Sequence, residues 1–370
     1  MSTQDELQAK VVKQIKDFFS NHVSIGYIDL AMRFGKCKVV IDLLKTYHYN
    51  PKIFIAYPDN KLQQTWIDEM NLWGYDMENV LFVNFSSLKH FRDSAFDFFI
   101  IDEFHAASPL EREYCRNIID ASCIALLLSG TVSEETKKDW GYPCIAKYTT
   151  LEGIDDGILA NYLINVHLVD LDTKIYTEDK KGKRKTEKQR YDAYTWVIEK
   201  LKQDGDNFMY LALARNRLSL SSIAKKEYTL RLLEKLKDKR VLVFTGLSKA
   251  ADSLGIPSYH SKSKEEGVFT AFKEGTINQL ALAAIGKVGV TYPNLDSVIL
   301  TNFTYNAEET SQILNRAIKL DYKDKIADLH ILCLNEPAEL KKLKESLSML
   351  DSTKINYFYN GRQIQNNRST

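Results

Sequence analysis

Phe98-Phe99-Ile100-Ile101 is a run of large apolar side chains that ends in two adjacent carboxylates, Asp102-Glu103. A short continuous apolar run has no polar face to turn to water. It therefore reads as a strand covered on both sides, the kind that builds parallel sheets. Helices must cover both faces of such a sheet, which restricts the chain to an α/β architecture. Open sheets of this kind hold ligands beyond the carboxyl ends of their strands, where Asp102-Glu103-Phe104-His105 stands.

The rest of the chain has the matching alternation. Leu7, Val11, Val12, Ile15, Phe18 and Phe19 recur at helical spacing and predict an amphipathic opening helix. Strands are then predicted over 24–30, 53–57, 80–85, 98–102 and 124–129, with helices over 36–47, 61–72 and 111–121. The periodicity weakens over 149–161, where Gly153, Asp155, Asp156 and Gly157 cluster, and we place a boundary there. Domain one covers 1–155 and domain two 156–370. The second set has strands over 163–171, 240–245, 279–284, 297–300 and 329–334. Its helices span 187–203, 218–236, 265–273, 308–319 and 337–350. The fold class is two tandem doubly wound parallel-sheet domains with a cleft between them.

With 370 residues, 44% of them apolar, the chain can fill two cores. A net charge of +1 leaves any phosphate binding to local patches. Cys37, Cys115, Cys123, Cys144 and Cys333 form no CxxC pair, so they are read as reduced thiols of a cytoplasmic protein. No signal peptide and no membrane-length apolar run is visible.

Ala31-Met32-Arg33-Phe34-Gly35-Lys36-Cys37 lies between a predicted strand and a predicted helix. That is the setting of a phosphate loop, in which backbone N–H groups and a lysine face a polyphosphate at a helix amino terminus. Gly35 permits close backbone approach, and Lys36 can pair the β- and γ-phosphates. An ordinary Gly-Lys turn has the same letters; the company of Asp102-Glu103 favours the phosphate loop. Asp102 can hold magnesium and Glu103 can orient a water for attack on a γ-phosphate. Leu30 stands where the loop's first glycine is usual, and Cys37 where a Ser or Thr hydroxyl is usual. A thiol is a poor ligand for a hard cation, so either water completes the shell at Cys37 or metal binding is weaker. The helix terminus and Lys36 are expected to favour its thiolate. His105 reads either as a core imidazole or as a partner for a polar cleft residue. Ser129-Gly130-Thr131 ends another apolar strand.

Together these segments resemble the superfamily 2 helicases, nucleic-acid-dependent NTPases with two RecA-like domains. Asp102-Glu103-Phe104-His105 resembles motif II, Ala31 to Cys37 motif I, and Ser129-Gly130-Thr131 motif III. Phe54-Ile55-Ala56-Tyr57-Pro58 with Leu62-Gln63-Gln64-Thr65-Trp66 is similar to motif Ia, and Asn84-Phe85-Ser86-Ser87-Leu88 to motif Ib. Gln8 matches the glutamine that reads adenine, although a surface glutamine fits the position too. In the second half, 240–246 resembles motif IV, with Tyr259-His260-Ser261-Lys262 after it. Residues 283–293 resemble a shortened motif V with Gly289 as its glycine, and 312–319 resemble motif VI. The compact layout is similar to phage-encoded branch-migration and repair helicases, which would place the protein in a bacterial host's cytoplasm.

The resemblance implies ATP and magnesium bound between RecA-like domains. Gln8, Arg33, Phe34, Gly35, Lys36, Cys37, Asp102 and Gly289 would line the nucleotide, with the metal on Asp102 and, through water, Cys37. Glu103 would position or deprotonate the water. Gln312, Arg316 and Lys319 would reach across the cleft, Arg316 as an arginine finger. Lys319 has charge but lacks the planar fork of an arginine. The implied partner is single-stranded or branched DNA, with RNA as the other possibility, bound by a monomer. Backbone contacts would come from Ser86, Ser87, Thr245, Lys262 and Thr291. The basic run 180–185 adds Lys181, Lys183 and Arg184, either as phosphate contacts or as a solvated turn. Arg215 and Arg217 lie either near phosphates or on a helix surface. Two rivals stand beside an active motor. One is a binding or remodelling scaffold of helicase fold with weak or lost ATPase. The other is a nuclease or restriction motor subunit, for which no carboxylate cluster and no spare domain are visible.

Overall fold

A computed structural model describes residues 3–21, 23–47, 50–130, 132–178, 182–263, 266–283, 292, 294–314 and 316–364. The chain divides into two compact units that meet in sequence between Ala160 and Asn161.

The first unit opens with α1 (Thr3–Ser20), which buries Gln8, Val11, Val12 and Ile15. Then follow β1 (Ile25–Leu30), α2 (Lys36–Leu44), β2 (Ile53–Tyr57), α3 (Asn60–Leu72), β3 (Val80–Asn84) and β4 (Phe98–Asp102). The unit closes with α4 (Pro109–Ala121), β5 (Ile124–Ser129), α5 (Glu134–Trp140), β6 (Cys144–Tyr148) and α6 (Thr150–Asp155). The strands form one parallel sheet in the order β3-β2-β4-β5-β1-β6. None of Phe98 to Ile101 is more than 1% exposed. Full burial of such side chains contributes about 1.5–3 kcal/mol each, which anchors the strand that delivers Asp102. Register keeps the site level: Asp102 lies opposite Leu128 of β5, and Ser129 lies opposite Asp29 of β1. The carboxyl ends of β4 and β1 thus flank that of β5.

The second unit has β7 (Asn161–Val169), a two-stranded ribbon of β8 (Tyr176–Glu178) and β9 (Arg184–Thr186), and three helices, α7 (Glu187–Asp204), α8 (Met209–Leu220) and α9 (Ile223–Lys235). It continues through β10 (Val241–Thr245), α10 (Ser248–Asp252), β11 (Ser258–His260), α11 (Glu266–Glu274), β12 (Gln279–Ala283), β13 (Ser297–Leu300) and α12 (Ala307–Leu314). It ends with β14 (Ile326–Leu334), α13 (Pro337–Ser346), β15 (Ile355–Tyr359) and β16 (Arg362–Ile364). The sheet order is β11-β12-β10-β13-β14-β7-β15-β16, parallel except for the last pair.

Several expected bounds change, among them the ends of the helices predicted over 36–47 and 337–350, which stop at Leu44 and Ser346. The helix predicted over 218–236 is two helices, because Ser222 caps α9 by accepting the Lys225 N–H and breaks the run. The helix predicted over 308–319 stops at Leu314, so Arg316 and Lys319 lie beyond it. The strand expected over 163–171 runs from Asn161 to Val169. Among the described residues no helix is long and apolar enough to cross a membrane.

Candidate active site

The loop between β1 and α2 turns through two left-handed residues, Arg33 at φ 73° and Gly35 at φ 94°. Gly35 is required on two counts: its φ suits glycine, and a Cβ there would lie 2.4 Å from Gln8 Nε2. Helix α1 holds the loop from outside. Gln8 Nε2 donates to the Phe34 carbonyl at 2.6 Å, and Gln4 Nε2 donates to the Arg33 and Phe34 carbonyls at 3.1 Å. Gln8 Oε1 is buried without a hydrogen-bond partner. The Phe34 side chain is 1% exposed and packs on Tyr148, with ring centroids 4.4 Å apart. Its ring is therefore core, and only its backbone can serve the loop.

Lys36 opens α2 and meets the end of β4. Its Nζ lies 2.6 Å from Glu103 Oε1. Glu103 is left-handed at φ 50°, which turns its side chain out of the strand direction. Glu103 Oε2 accepts no hydrogen bond and lies 3.4 Å from His105 Nδ1. That ring nitrogen pairs with Ser129 Oγ at 2.8 Å, which joins the motif II and motif III segments. Burial acts to raise the Glu103 carboxyl, but Lys36 and then His105 outweigh it and hold it below its ordinary value. Burial acts to lower Lys36, but Glu103 and Asp102 keep it above its ordinary value.

Asp102 is 4% exposed and tied down on both oxygens. Trp66 Nε1 donates to Oδ2 at 2.9 Å, and the Glu103 N–H donates to Oδ1 at 3.0 Å. Burial raises its carboxyl to about 6, against the pull of Lys36. Magnesium is commonly held by one or two carboxylates with phosphate oxygens and water. Asp102 fits that role, since each of its oxygens keeps a second lone pair and its charge lacks full solvation.

Cys37 does not fit as a ligand, and its expected thiolate is overturned. Burial, Asp102 and Glu69 push the thiol well above its ordinary value, and Lys36 does not compensate. Alkylation of Cys37 is therefore expected to be slow at pH 8, with the exposed Cys123 and Cys144 modified first. Mass mapping after a short pulse of iodoacetamide checks this; label found first on Cys37 would refute it.

The second-unit candidates are placed differently. Arg316 is 2% exposed, with its guanidinium 5.8 Å from the Phe244 ring and 5.7 Å from the Tyr292 ring. Lys319 Nζ pairs with Asp321 at 3.1 Å, and Asp321 also holds the buried Lys325. Gln312 is half-buried on α12. Thr245 is buried and its hydroxyl donates to the Leu247 and Leu282 carbonyls, so it offers no proton to a phosphate. Lys262 is exposed. Ser86 is exposed and donates to Asn84 Oδ1, and Ser87 is half-buried. Lys183 and Arg184 are exposed where the ribbon enters β9, with Arg184 over the Tyr176 ring at 6.0 Å. Thr131, Lys181, Gly289 and Thr291 lie outside the described residues.

Two contacts escaped sequence reasoning: Gln4 on the loop and Trp66 on Asp102. A buried tryptophan must find an acceptor for its N–H, so Trp66 carried a signal, but not an address.

The helicase conserved C-terminal domain family matches residues 224–321. By sequence, no curated protein matches the chain. Among solved structures, one neighbour is the fragment structure of a protein described as an HsdR subunit of a type I restriction enzyme from Vibrio vulnificus YJ016. It aligns with TM-score 0.62 and 16% identity over 97% of this chain and 69% of its own. Another is the ATP-dependent Type ISP restriction-modification enzyme LlaBIII bound to DNA, with TM-score 0.61 and 11% identity over 96% of this chain. The chain spans 31% of that enzyme. At such identities the likeness is one of fold. The domain match lies wholly beyond Ala160, in the second unit's part of the sequence, and over nearly the whole chain the likeness to these two structures is one of fold alone.

Proposed function

We propose that the chain hydrolyses ATP and uses the energy to move along or unwind nucleic acid, with single-stranded or branched DNA as the first substrate and RNA as the second. The supporting observation is the meeting of Lys36 with Glu103 at 2.6 Å, beside a buried Asp102, at the carboxyl ends of parallel strands. Lys36 would transfer from Glu103 to the nucleotide phosphates. Glu103 would then be free to orient water. Asp102 would hold magnesium, which when bound neutralises charge on the phosphates. Gln312 and Arg316 would complete the site from the second RecA-like domain, and Arg316 would first leave its place between Phe244 and Tyr292. Steady-state ATPase with single-stranded DNA, duplex, forked DNA and RNA tests the proposal. Stimulation by at least one of them is expected. The branch-migration reading adds preference for forked DNA.

Two observations favour an ATPase-weak remodelling scaffold as the second reading: Cys37 in place of a hydroxyl, and Lys319 engaged by Asp321. The fold neighbours point to a third, the motor part of a restriction assembly. Cys37→Thr separates the first two. It is expected to lower the magnesium concentration that gives half-maximal ATPase; identical magnesium dependence would mean water already completes the shell. ATPase stimulated by duplex DNA, without strand separation, would favour the third.

The ribbon gives a further prediction. Replacing Lys183 and Arg184 by glutamine is expected to weaken DNA binding and to reduce its salt slope by about 0.7 to 0.9 per lost phosphate contact. An unaltered slope would return the run to a solvated turn.

A further inference from the structure

Two tryptophans place an indole N–H on a carboxylate among the described residues. Trp73 does so near the surface, to Glu69 at 2.9 Å, one helical turn away. Trp66 does so in the core, to Asp102 Oδ2 at 2.9 Å, from 36 positions away. Trp66 is 0% exposed and is the largest fully buried side chain among the described residues. A core position that needs only volume can be filled by Phe or Leu, which have no polar atom to satisfy. An indole in the same place must find an acceptor, and the one it finds is the carboxylate that ends β4.

Helix α3 makes the contact. Asp59 caps it by accepting the Lys61 N–H, which starts the helix just beyond β2. Leu62, Trp66 and Met70 then recur every fourth position and form its buried face. Strands β2 and β4 are neighbours, with Ala56 opposite Ile101, so the helix that leaves β2 can reach the end of β4. The same segment also touches α2, the helix that carries Lys36: the Lys38 ammonium lies 4.8 Å from the Trp73 ring.

The last torsion of an aspartate is broad, so a donor on one oxygen alone leaves the carboxylate free to turn. Asp102 has a donor on each oxygen, Trp66 on Oδ2 and its neighbour's backbone N–H on Oδ1. Together they fix the plane of the group, and each oxygen keeps a lone pair for a further partner. Carboxylates that ligate metals are themselves hydrogen-bonded, and losing such a partner commonly costs about 10–100-fold in metal affinity or activity. We propose that Trp66 is a positioning residue: its indole N–H sets the plane of the Asp102 carboxylate, so that magnesium arriving with a nucleotide's phosphates meets an oxygen already in place. The proposal rests on the function proposed above, through Asp102 as the carboxylate that holds the metal.

The test uses the full chain and reads binding rather than turnover. Magnesium is titrated at constant ADP in wild type and in Trp66→Phe, which keeps an aromatic ring in the core and removes the N–H. The magnesium concentration for half-saturation, read from the heat of binding, is expected to rise about 10–100-fold in the variant. ADP affinity in EDTA, read with a fluorescent ADP analogue, is expected to stay unchanged. A Trp66 that only fills space predicts a lower urea midpoint and the same magnesium dependence. That result, with ADP and magnesium both bound, would overturn the proposal and leave the ATPase reading standing. A wild type that fails to bind magnesium with ADP would overturn that reading, and this one with it. A second measurement needs no variant, so it holds if Trp66→Phe folds poorly. Manganese replaces magnesium and broadens the resonances closest to it, with a steep fall over distance. One of the four indole N–H signals is expected to broaden well before the other three when manganese is added with ADP. Equal broadening of all four, or of none while manganese is bound, would overturn the proposal.

Discussion

Glu103→Gln is expected to leave ATP binding in place and to lower hydrolysis by roughly two orders of magnitude or more. The variant keeps the size of the side chain and removes its ability to take a proton. Glu103 has one oxygen on Lys36 and a second, buried, that accepts no hydrogen bond, and under the proposed function this second oxygen would take the water's proton. Lys36 and His105 keep it ionised, so it is in the right form before substrate arrives. A rival role is purely electrostatic, with Glu103 only holding Lys36 in the loop. The two separate in the kinetics. A base predicts a fall in kcat with KM little changed, because ground-state binding through Lys36 persists. A holder predicts a raised KM with kcat preserved, and unchanged turnover would remove Glu103 from the chemistry. Urea unfolding is the control, since taking one partner from a buried ion pair can cost about 3–5 kcal/mol.

The parts of this site that could be read from sequence are those with a periodic or compositional signature. The run 98–102 allowed one reading, a doubly covered strand, and β4 has those bounds. Gly35-Lys36 after an apolar strand gave the start of α2 to the residue. The supporting contacts were not legible. Gln4 and Gln8 reach a loop 26 to 30 positions away, and Trp66 reaches Asp102 across 36. Such side-chain contacts depend on how α1 and α3 sit against the sheet, and no local pattern encodes that. Cys37 shows a second limit. Its helix terminus and its lysine neighbour were visible, but desolvation was not, and together with Asp102 and then Glu69, 32 positions away, it outweighs Lys36. Helix α12 shows a third. The helical spacing of 308–319 continued past the point where the chain turns, so Arg316 was placed on a helix and lies instead between two aromatic rings.

Acid is expected to destabilise the second unit through two histidines that no part of the proposed ATP chemistry uses. His167 on β7 and His330 on β14 point to one face of the sheet, with His167 Nε2 2.9 Å from His330 Nδ1. The Tyr228 hydroxyl lies 2.9 Å from His167 Nδ1, and Phe358 stacks on the His167 ring. If Tyr228 donates, His167 is protonated on Nε2 and donates in turn to His330, and both rings are neutral. Burial, His330 and Lys235 lower His167 to about 3. Burial lowers His330 to about 4; Asp328 opposes this and Lys239 adds to it. An unfolded chain would bind protons on both near 6.5, while the folded chain would not. Stability is then complete above pH 6.5 and declines as pH falls toward 4, by up to about 1.4 kcal/mol per pH unit for each histidine. Urea midpoints between pH 7.5 and 4.5 measure the slope. The double variant His167→Gln/His330→Gln keeps hydrogen-bonding side chains and cannot titrate in this range. It should be less stable than wild type at pH 7.5 and should lose less on acidification. Parallel slopes in the two proteins would mean that acid acts elsewhere in the molecule.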